Sequence, residues 1–410
     1  MGQPLPKLPR VARSANRSTR PGVTLPSRPQ SAPRVKHISL SFPLRIGSWQ
    51  EIVRGVCRYI EIKKTWAISI HNENDVTSAL AGNPDGIIAS VQTAEAAGKL
   101  QSWGGPVVVT AGEFEDHSFI QIGFDPLSTG KLAAEHLMLL HGRAYSYFGY
   151  PDSPRGRLIL QGFSQRLRQA GIEVVEQGSE FERPSRMNFP SDRTILARLS
   201  KLPHPAAVFC SSDLLAHDLA RACLSAGLRV PQDIAILGCS NDEFLCTVSQ
   251  PPLSSVGLPY AALGYETAKL LDALMSKSAV PQRNELPPLG VITRQSTDPA
   301  ALAEPSLAIA LRFIRDNATN RIGVDDIAAA SGLSRSSLER RFRAVVGRSP
   351  LAELLRERVD RAQHLLVKTG LAMKEVAVAA GFHDVRHLSV TFRQKTGITP
   401  GKYRARFRPG

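Results

Sequence analysis

Polar side chains stand at the ends of a series of short apolar runs in the first three quarters of the chain. Ser41 closes "HISLSF", Asp125 follows "QIGF", Ser212 and Asp213 follow "AAVFCS", and Ser240 with Asn241 follows "AILGC". Carboxylates, an amide and hydroxyls together supply both the acceptors and the donors that a hydroxyl-rich small molecule needs. Each residue also suits a helix cap or a turn, so type alone does not separate the two uses. A second chemistry lies in the last hundred residues, where two arginine-rich segments recur about fifty positions apart. Arginines in that setting suit the phosphates and base edges of duplex DNA.

The elements that must position the first set alternate in type. "HISLSF", "WAISI", "DGIIAS", "PVVVT" and "QIGF" read as buried strands, and "WQEIVRGVCRYIEI" has the spacing of an amphipathic helix. The pattern restarts at "AYSYFGY", passes through the helix "LILQGFSQRLRQAG" and continues into "AAVFCS" and "IAILGCSND". Strands separated by helices form parallel sheets covered on both faces, and the restart predicts two doubly wound lobes. Ligands of such sheets bind beyond the carboxyl ends of the strands, where the polar residues stand.

The second set sits in a repeat. "IAAASGL" (Ile327 to Leu333) matches "VAVAAGF" (Val376 to Phe382) at an offset of 49, and "FRAVVGRSP" (Phe342 to Pro350) matches "FRQKTGITP" (Phe392 to Pro400) at an offset of 50. Each copy has a short alanine-bearing helix, a glycine (Gly332, Gly381) suited to the left-handed turn, and a second helix rich in arginine, which is helix-turn-helix grammar. Pro350 opens a helix between them whose Leu351, Leu354, Leu355, Val359, Ala362, Leu365 and Leu366 form one stripe. About 17 such residues span roughly 26 Å, a length suited to holding two recognition helices on one face of DNA.

Charge partitions in the same way. The 410 residues carry a formal net charge of +15, distributed as +8 over residues 1–40, −3 over 41–299 and +10 over 300–410. Residues 1–36 hold seven prolines with many Ser and Arg, the composition of a disordered basic arm. No apolar run is long enough for a transmembrane helix, and the N-terminus lacks a secretory h-region, so no membrane association and a cytoplasmic location are expected. Cys57, Cys210, Cys223, Cys239 and Cys246 form no CxxC pair, so neither a disulfide framework nor a metal site is expected. GxSxG, HExxH and GxGxxG are missing, and "STGKL" lacks the spacing of a phosphate loop, so neither an enzyme nor a cofactor is expected.

Across residues 37–298, "FIQIGFDPLSTGKLAAEHLMLLHGRAYSYFGYPDS", "AAVFCSSDLLAHDLARACLSAGLRVPQDIAILGCSNDE", "LSSVGLPYAALGYETAKLLDALM" and "LPPLGVITRQST" resemble the effector domain of LacI-type regulators, especially the XylR-like group. That resemblance implies a two-lobed periplasmic-binding-protein-like fold of type I with a sugar in the cleft, held by Ser41, Asp125, Asp213, Ser240 and Asn241. Family members usually carry Asp where this chain has Ser240, and Arg where it has Ile159; Arg155 and Arg157 lie close by as substitutes. Residues 305–410, with "GLSRSSLERRFRAVVGRSP" and "GFHDVRHLSVTFRQKTGITPGKYR", are similar to the AraC-type DNA-binding domain. Carried over by position, Ser336, Glu339 and Arg340 face bases from the first recognition helix and Arg386, His387 and Val390 from the second. Arg335, Arg343 and Arg393 complete the DNA-facing set.

These readings converge on a cytoplasmic transcription regulator: residues 1–36 an arm, 37–298 an effector domain, 299–304 a linker and 305–410 an all-α domain with two helix-turn-helix units. The expected partners are double-stranded operator DNA, a sugar effector such as xylose or a related polyol, a second copy in a homodimer, and RNA polymerase. Activation is the mode implied.

Overall fold

The computed structural model describes residues 34–43, 47–72, 75–110, 118–140, 142–150, 153–176, 192–298 and 305–407. The basic arm, apart from its last three residues, and the 299–304 linker lie outside the described residues.

The first lobe is built from β1 (Lys36–Phe42), α1 (Gly47–Lys63), β2 (Trp66–Asn72), α2 (Val76–Ala81), β3 (Gly86–Ala89), α3 (Ala94–Trp103), β4 (Val107–Thr110) and β5 (Ile120–Phe124). The second comprises α4 (Pro126–Met138), β6 (Ala144–Phe148), α5 (Pro154–Arg168), β7 (Val174–Glu176), α6 (Asp192–Leu199), β8 (Ala206–Cys210), α7 (Asp213–Ser225), β9 (Ile234–Ser240), α8 (Glu243–Val248) and β10 (Ser254–Gly257). Then α9 (Tyr260–Met275) returns to the first lobe, β11 (Arg283–Leu286) joins its sheet, and β12 (Gly290–Ile292) joins the other. The strand orders are β11-β5-β4-β3-β1-β2 and β12-β10-β9-β8-β6-β7. Every described pairing is parallel except β10 with β12. The sequence reading placed two doubly wound lobes here and missed β11 and β12. Both are short and half-exposed, and "LPPLG" between them reads as a loop.

The apolar runs become strands because helices bury them on both faces: Ile38, Leu40 and Phe42 of β1, and Phe209 and Leu237 of the second sheet, are fully buried. The chain passes between lobes at Asp125, around Pro259, and over residues 287–289. Backbone hydrogen bonds tie these passages together, Asp125 N–H donating to Leu286 O at 2.9 Å and Leu289 N–H to Gly257 O at 2.9 Å.

The C-terminal helices are α10 (Pro305–Asn317), α11 (Val324–Ser331), α12 (Arg335–Val346), α13 (Pro350–Lys368), α14 (Met373–Ala379), α15 (Val385–Thr396) and α16 (Pro400–Phe407). Two helical cores form around the sequence repeat. One gathers Leu307, Leu311, Ile327, Leu338 and Phe342, and the other Val376, Leu388, Phe392 and Tyr403. Phe342 and Phe392 occupy equivalent places and are fully buried, each worth about 2 to 3 kcal/mol of transfer free energy. The α13 helix belongs to both cores, giving Leu354 to the first and Val359, Ala362 and Leu366 to the second. Leu351 departs from the expected stripe: it is 48% exposed, one residue into the helix and off its packed face.

Candidate effector cleft and nucleic-acid interface

The β9 strand ends in an unusual backbone. Ser240 has φ 119° and Asn241 φ 53°, the left-handed side that side chains with a Cβ disfavour by roughly 1 to 2 kcal/mol each. Neighbouring groups hold the loop in place. Asn241 N–H donates to Ser255 Oγ at 2.9 Å, Asp242 N–H to Asp213 Oδ2 at 2.7 Å, and Arg294 Nη2 to Asn241 Oδ1 at 2.9 Å. Strain maintained by surrounding bonds is a mark of a functional loop.

Asp213 has a different task from the expected one. Its residue is 1% exposed, and its second oxygen accepts Ser255 Oγ–H at 2.5 Å, so both oxygens are engaged inside the protein. Burial pushes its carboxyl up to about 6, although the two hydrogen bonds pull the other way. It therefore positions the Ser240–Asp242 loop. Ser41 is likewise turned inward, 1% exposed and donating to the Asn72 carbonyl at 3.0 Å. Asp125 caps α4 by accepting from Ser128 N–H at 3.0 Å and from the Ser128 hydroxyl. Ser212 caps α7 in the same manner. In these residues the cap and turn uses account for the side-chain bonds.

Ser240 and Arg155 keep company with aromatic rings. Tyr260 OH donates to Ser240 Oγ at 2.9 Å, and the Tyr260 ring meets Phe124 edge to face at 4.8 Å. The Arg155 guanidinium lies over the Phe124 ring, 5.6 Å from its centroid. Burial raises Tyr260 to about 12 and Cys239 to about 12, with Arg155 close enough to oppose both shifts. Arg155, Ser240 and Tyr260 thus form one group where the chain passes between lobes, whereas Arg157, two residues beyond Arg155, is exposed. Sequence reasoning missed Tyr260, Phe124 and Arg294. Their only signal was position, since Phe124 precedes Asp125 and Tyr260 opens α9 after Pro259.

In the helical domain the two turns have the expected geometry. Gly332 takes φ 67° and Gly381 φ 85°. Ser334 caps α12 by accepting Ser337 N–H at 3.3 Å, and Asp384 caps α15 by accepting His387 N–H at 2.7 Å. Each recognition helix buries one face, with Leu338, Phe342 and Val346 on α12 and Leu388, Thr391 and Phe392 on α15. The opposite faces leave Ser336, Arg340, Arg343, Arg386, Val390 and Arg393 exposed. Glu339 and His387 are half-buried, the His387 ring lying edge-on to Phe382 at 5.4 Å. Arg335 pairs with Asp325 at 3.1 Å and with Glu339 at 3.5 Å. That brace links the two helices of the first unit and draws on the same Glu339 carboxylate that a cytosine would need.

At the start of α13, Arg348 and Arg356 both bond the buried Glu353. Burial alone would raise that carboxyl, but the two guanidinium groups hold it down at about 2. Farther along, Gln363 Nε2 donates to Leu289 O at 3.1 Å, and Tyr403 OH to the same carbonyl at 3.3 Å. Ala262 and Leu289 of the lobed domain pack into the second helical core. A cavity of about 520 Å³ lies beside these contacts, lined by Arg54, Asn241, Glu243, Arg294, Gln363 and His364 among others. Among the described residues no helix is long and apolar enough to cross a membrane, and no cluster of metal-ligating side chains occurs.

Comparison with known proteins agrees with both halves. Residues 134–297 match the periplasmic binding protein-like domain, and residues 327–406 match a helix-turn-helix domain. The xylose operon regulatory protein of Escherichia coli (strain K12) is 28% identical over 381 residues, covering 90% of this chain and 96% of that protein. The protein of the same name from Haemophilus influenzae is 26% identical over 372 residues, covering 87% and 94%. A solved structure of the xylose-binding transcription activator xylR aligns with a TM-score of 0.57 at 25% identity, over 90% of this chain and 98% of that one. With two parallel-sheet lobes followed by paired helix-turn-helix units in the same order, this chain is similar in sequence and fold to XylR-like transcriptional regulators, joining a periplasmic-binding-protein-like domain to a C-terminal AraC-type helix-turn-helix domain.

Proposed function

We propose that the chain binds double-stranded operator DNA through α12 and α15 and changes its operator affinity when a sugar or related polyol occupies the cleft between the lobes. The observation that carries this reading is the position of α13. One side of it supports both recognition helices, and Gln363 on the same helix bonds the Leu289 carbonyl where the chain passes between lobes. A ligand that prefers one lobe arrangement then biases the DNA-binding helices by its difference in affinity for the two states. Arg340 and Arg386 read base edges with Ser336, Glu339, His387 and Val390 beside them, while Arg343 and Arg393 meet phosphates. Arg335 acts from behind, through Glu339.

The names of the relatives favour a sugar effector of the xylose kind and activation, and RNA polymerase is the partner that activation would engage. In this reading residues 37–298 form the effector domain, 299–304 the linker and 305–410 the DNA-binding domain of a cytoplasmic homodimer. Selection of bound duplexes from a random pool, followed by binding titrations with and without pentoses, hexoses, polyols and sugar acids, tests it. An enriched site with two half-sites, bound at least about fivefold differently with one of these ligands, is expected. Sequence-independent binding, or an affinity that none of them alters, would reject it.

A further inference from the structure

We propose that the ligand of this cleft carries a carboxylate as well as hydroxyls, and that Arg155 is the group that reads the charge. This rests on the reading of the cleft as a carbohydrate site. Arg155 is half-buried in the first turn of α5, its guanidinium over the face of the Phe124 ring. Among the described residues no carboxylate pairs with it. Three nearby acidic groups among the described residues are committed elsewhere: Asp213 to Ser255 and Asp242 N–H, Asp125 to Ser128, and Asp242 to the cap of α8. The Asn241 amide oxygen is taken by Arg294.

A guanidinium partly withdrawn from water over an aromatic ring keeps its edge donors free, and a stacked ring offsets a small part of the lost hydration. A neutral sugar filling the cleft would remove the remaining water and leave that cation without an opposite charge among the described residues, a costly arrangement. A carboxylate supplies the charge and accepts two parallel N–H bonds in the plane of the guanidinium. Next to it, Tyr260 donates to Ser240 and so leaves the Ser240 hydroxyl hydrogen for a ligand oxygen. The group as a whole fits a sugar acid: one oxyanion against Arg155 and a hydroxyl against Ser240 and Tyr260.

The test uses the full chain. Thermal unfolding and calorimetric titration are run with D-gluconate, D-xylonate and D-galacturonate, with their neutral parents D-glucose, D-xylose and D-galactose, and with D-glucose 6-phosphate. At least one acid is expected to raise the unfolding temperature saturably and to bind about tenfold or more tighter than its parent. Arg155→Gln should weaken that acid about tenfold or more, and Arg155→Lys, which keeps the charge but loses the planar fork, should weaken it by a smaller factor. A neutral parent binding as tightly as its acid, a response to the phosphate ester alone, or acid binding indifferent to both substitutions overturns the assignment while leaving the carbohydrate reading intact. If none of the seven compounds binds, the carbohydrate reading falls and this inference with it.

Discussion

Gln363, in the last third of the helix that packs against both recognition units, donates its side-chain amide to the backbone carbonyl of Leu289 at 3.1 Å, in the segment that passes from one lobe to the other. In the proposed mechanism a change in lobe closure would move the acceptor, and the donor lies on the helix packed against both recognition units. Tyr403 of α16 bonds the same carbonyl at 3.3 Å, so the second helix-turn-helix unit is tied to the passage twice.

Gln363→Leu keeps the volume and removes the donor. If this bond transmits the ligand's effect, the variant should bind operator without ligand within a few fold of the unaltered chain yet lose a large part of the ligand-dependent change. Operator titrations with and without saturating effector measure both quantities, and an undiminished ligand effect would count against transmission through Leu289.

Arg340 is exposed on α12 with no ion pair holding it among the described residues. Arg340→Ala should cost about 1 to 3 kcal/mol of operator binding and relax preference at one base position. Arg343→Ala, aimed at a phosphate, should weaken all sequences alike and reduce the slope of affinity against salt. Titrations against single-base operator variants separate the two, and identical profiles would refute the division of roles.

Asp213 makes stability depend on pH. Its folded-state carboxyl is raised to about 6 from an ordinary value of 3.8, so the native state holds the proton more tightly than the unfolded chain does. Its contribution is therefore present in full below about pH 4 and is lost as pH rises through about 6, by an amount on the order of 3 kcal/mol at most. Asp213→Asn should flatten that part of the profile. Urea unfolding of both proteins at pH 4 to 7 provides the comparison, and parallel profiles would show that Asp213 does not titrate in this range.

Equivalent glycines of the repeat should respond differently to the same substitution. A Cβ on Gly332 meets nothing within 4 Å, whereas a Cβ on Gly381 would fall 2.1 Å from the Ala318 carbonyl oxygen. Gly332→Ala should cost roughly 1 to 2 kcal/mol for its positive φ alone. Gly381→Ala adds displacement of the α10–α11 connection and should cost more. Denaturant midpoints at equal m-value rank them, and equal losses would mean that the Ala318 contact yields freely.

Much of the architecture was legible because it depends on local rules. Buried parallel strands must be continuous apolar runs, so β1, β3, β4, β5, β8 and β9 stand out in the sequence. Residues 324–346 and 373–396 each needed a turn glycine and a buried Leu and Phe on one helical face, so the repeat was visible as an offset. β11 and β12 were not legible, because three or four half-exposed residues beside prolines acquire strand geometry only from β5 and β10.

The cleft divides along the same line. From the sequence by itself came the residue types at the strand ends and the charge partition that separates a DNA-binding domain from a near-neutral one. Tertiary structure decided which of those side chains remain free. Asp213 and Ser41 looked like ligand contacts, but both are buried and already bonded to long-range partners, Ser255 and Asp242 for one and Asn72 for the other. Arg155 looked like a substitute at best, yet packing set it over Phe124 beside Tyr260, with no carboxylate paired to it among the described residues. A side chain's type fixes what bonds it can make; whether they are already made depends on groups forty or a hundred residues away that only the folded chain brings within reach.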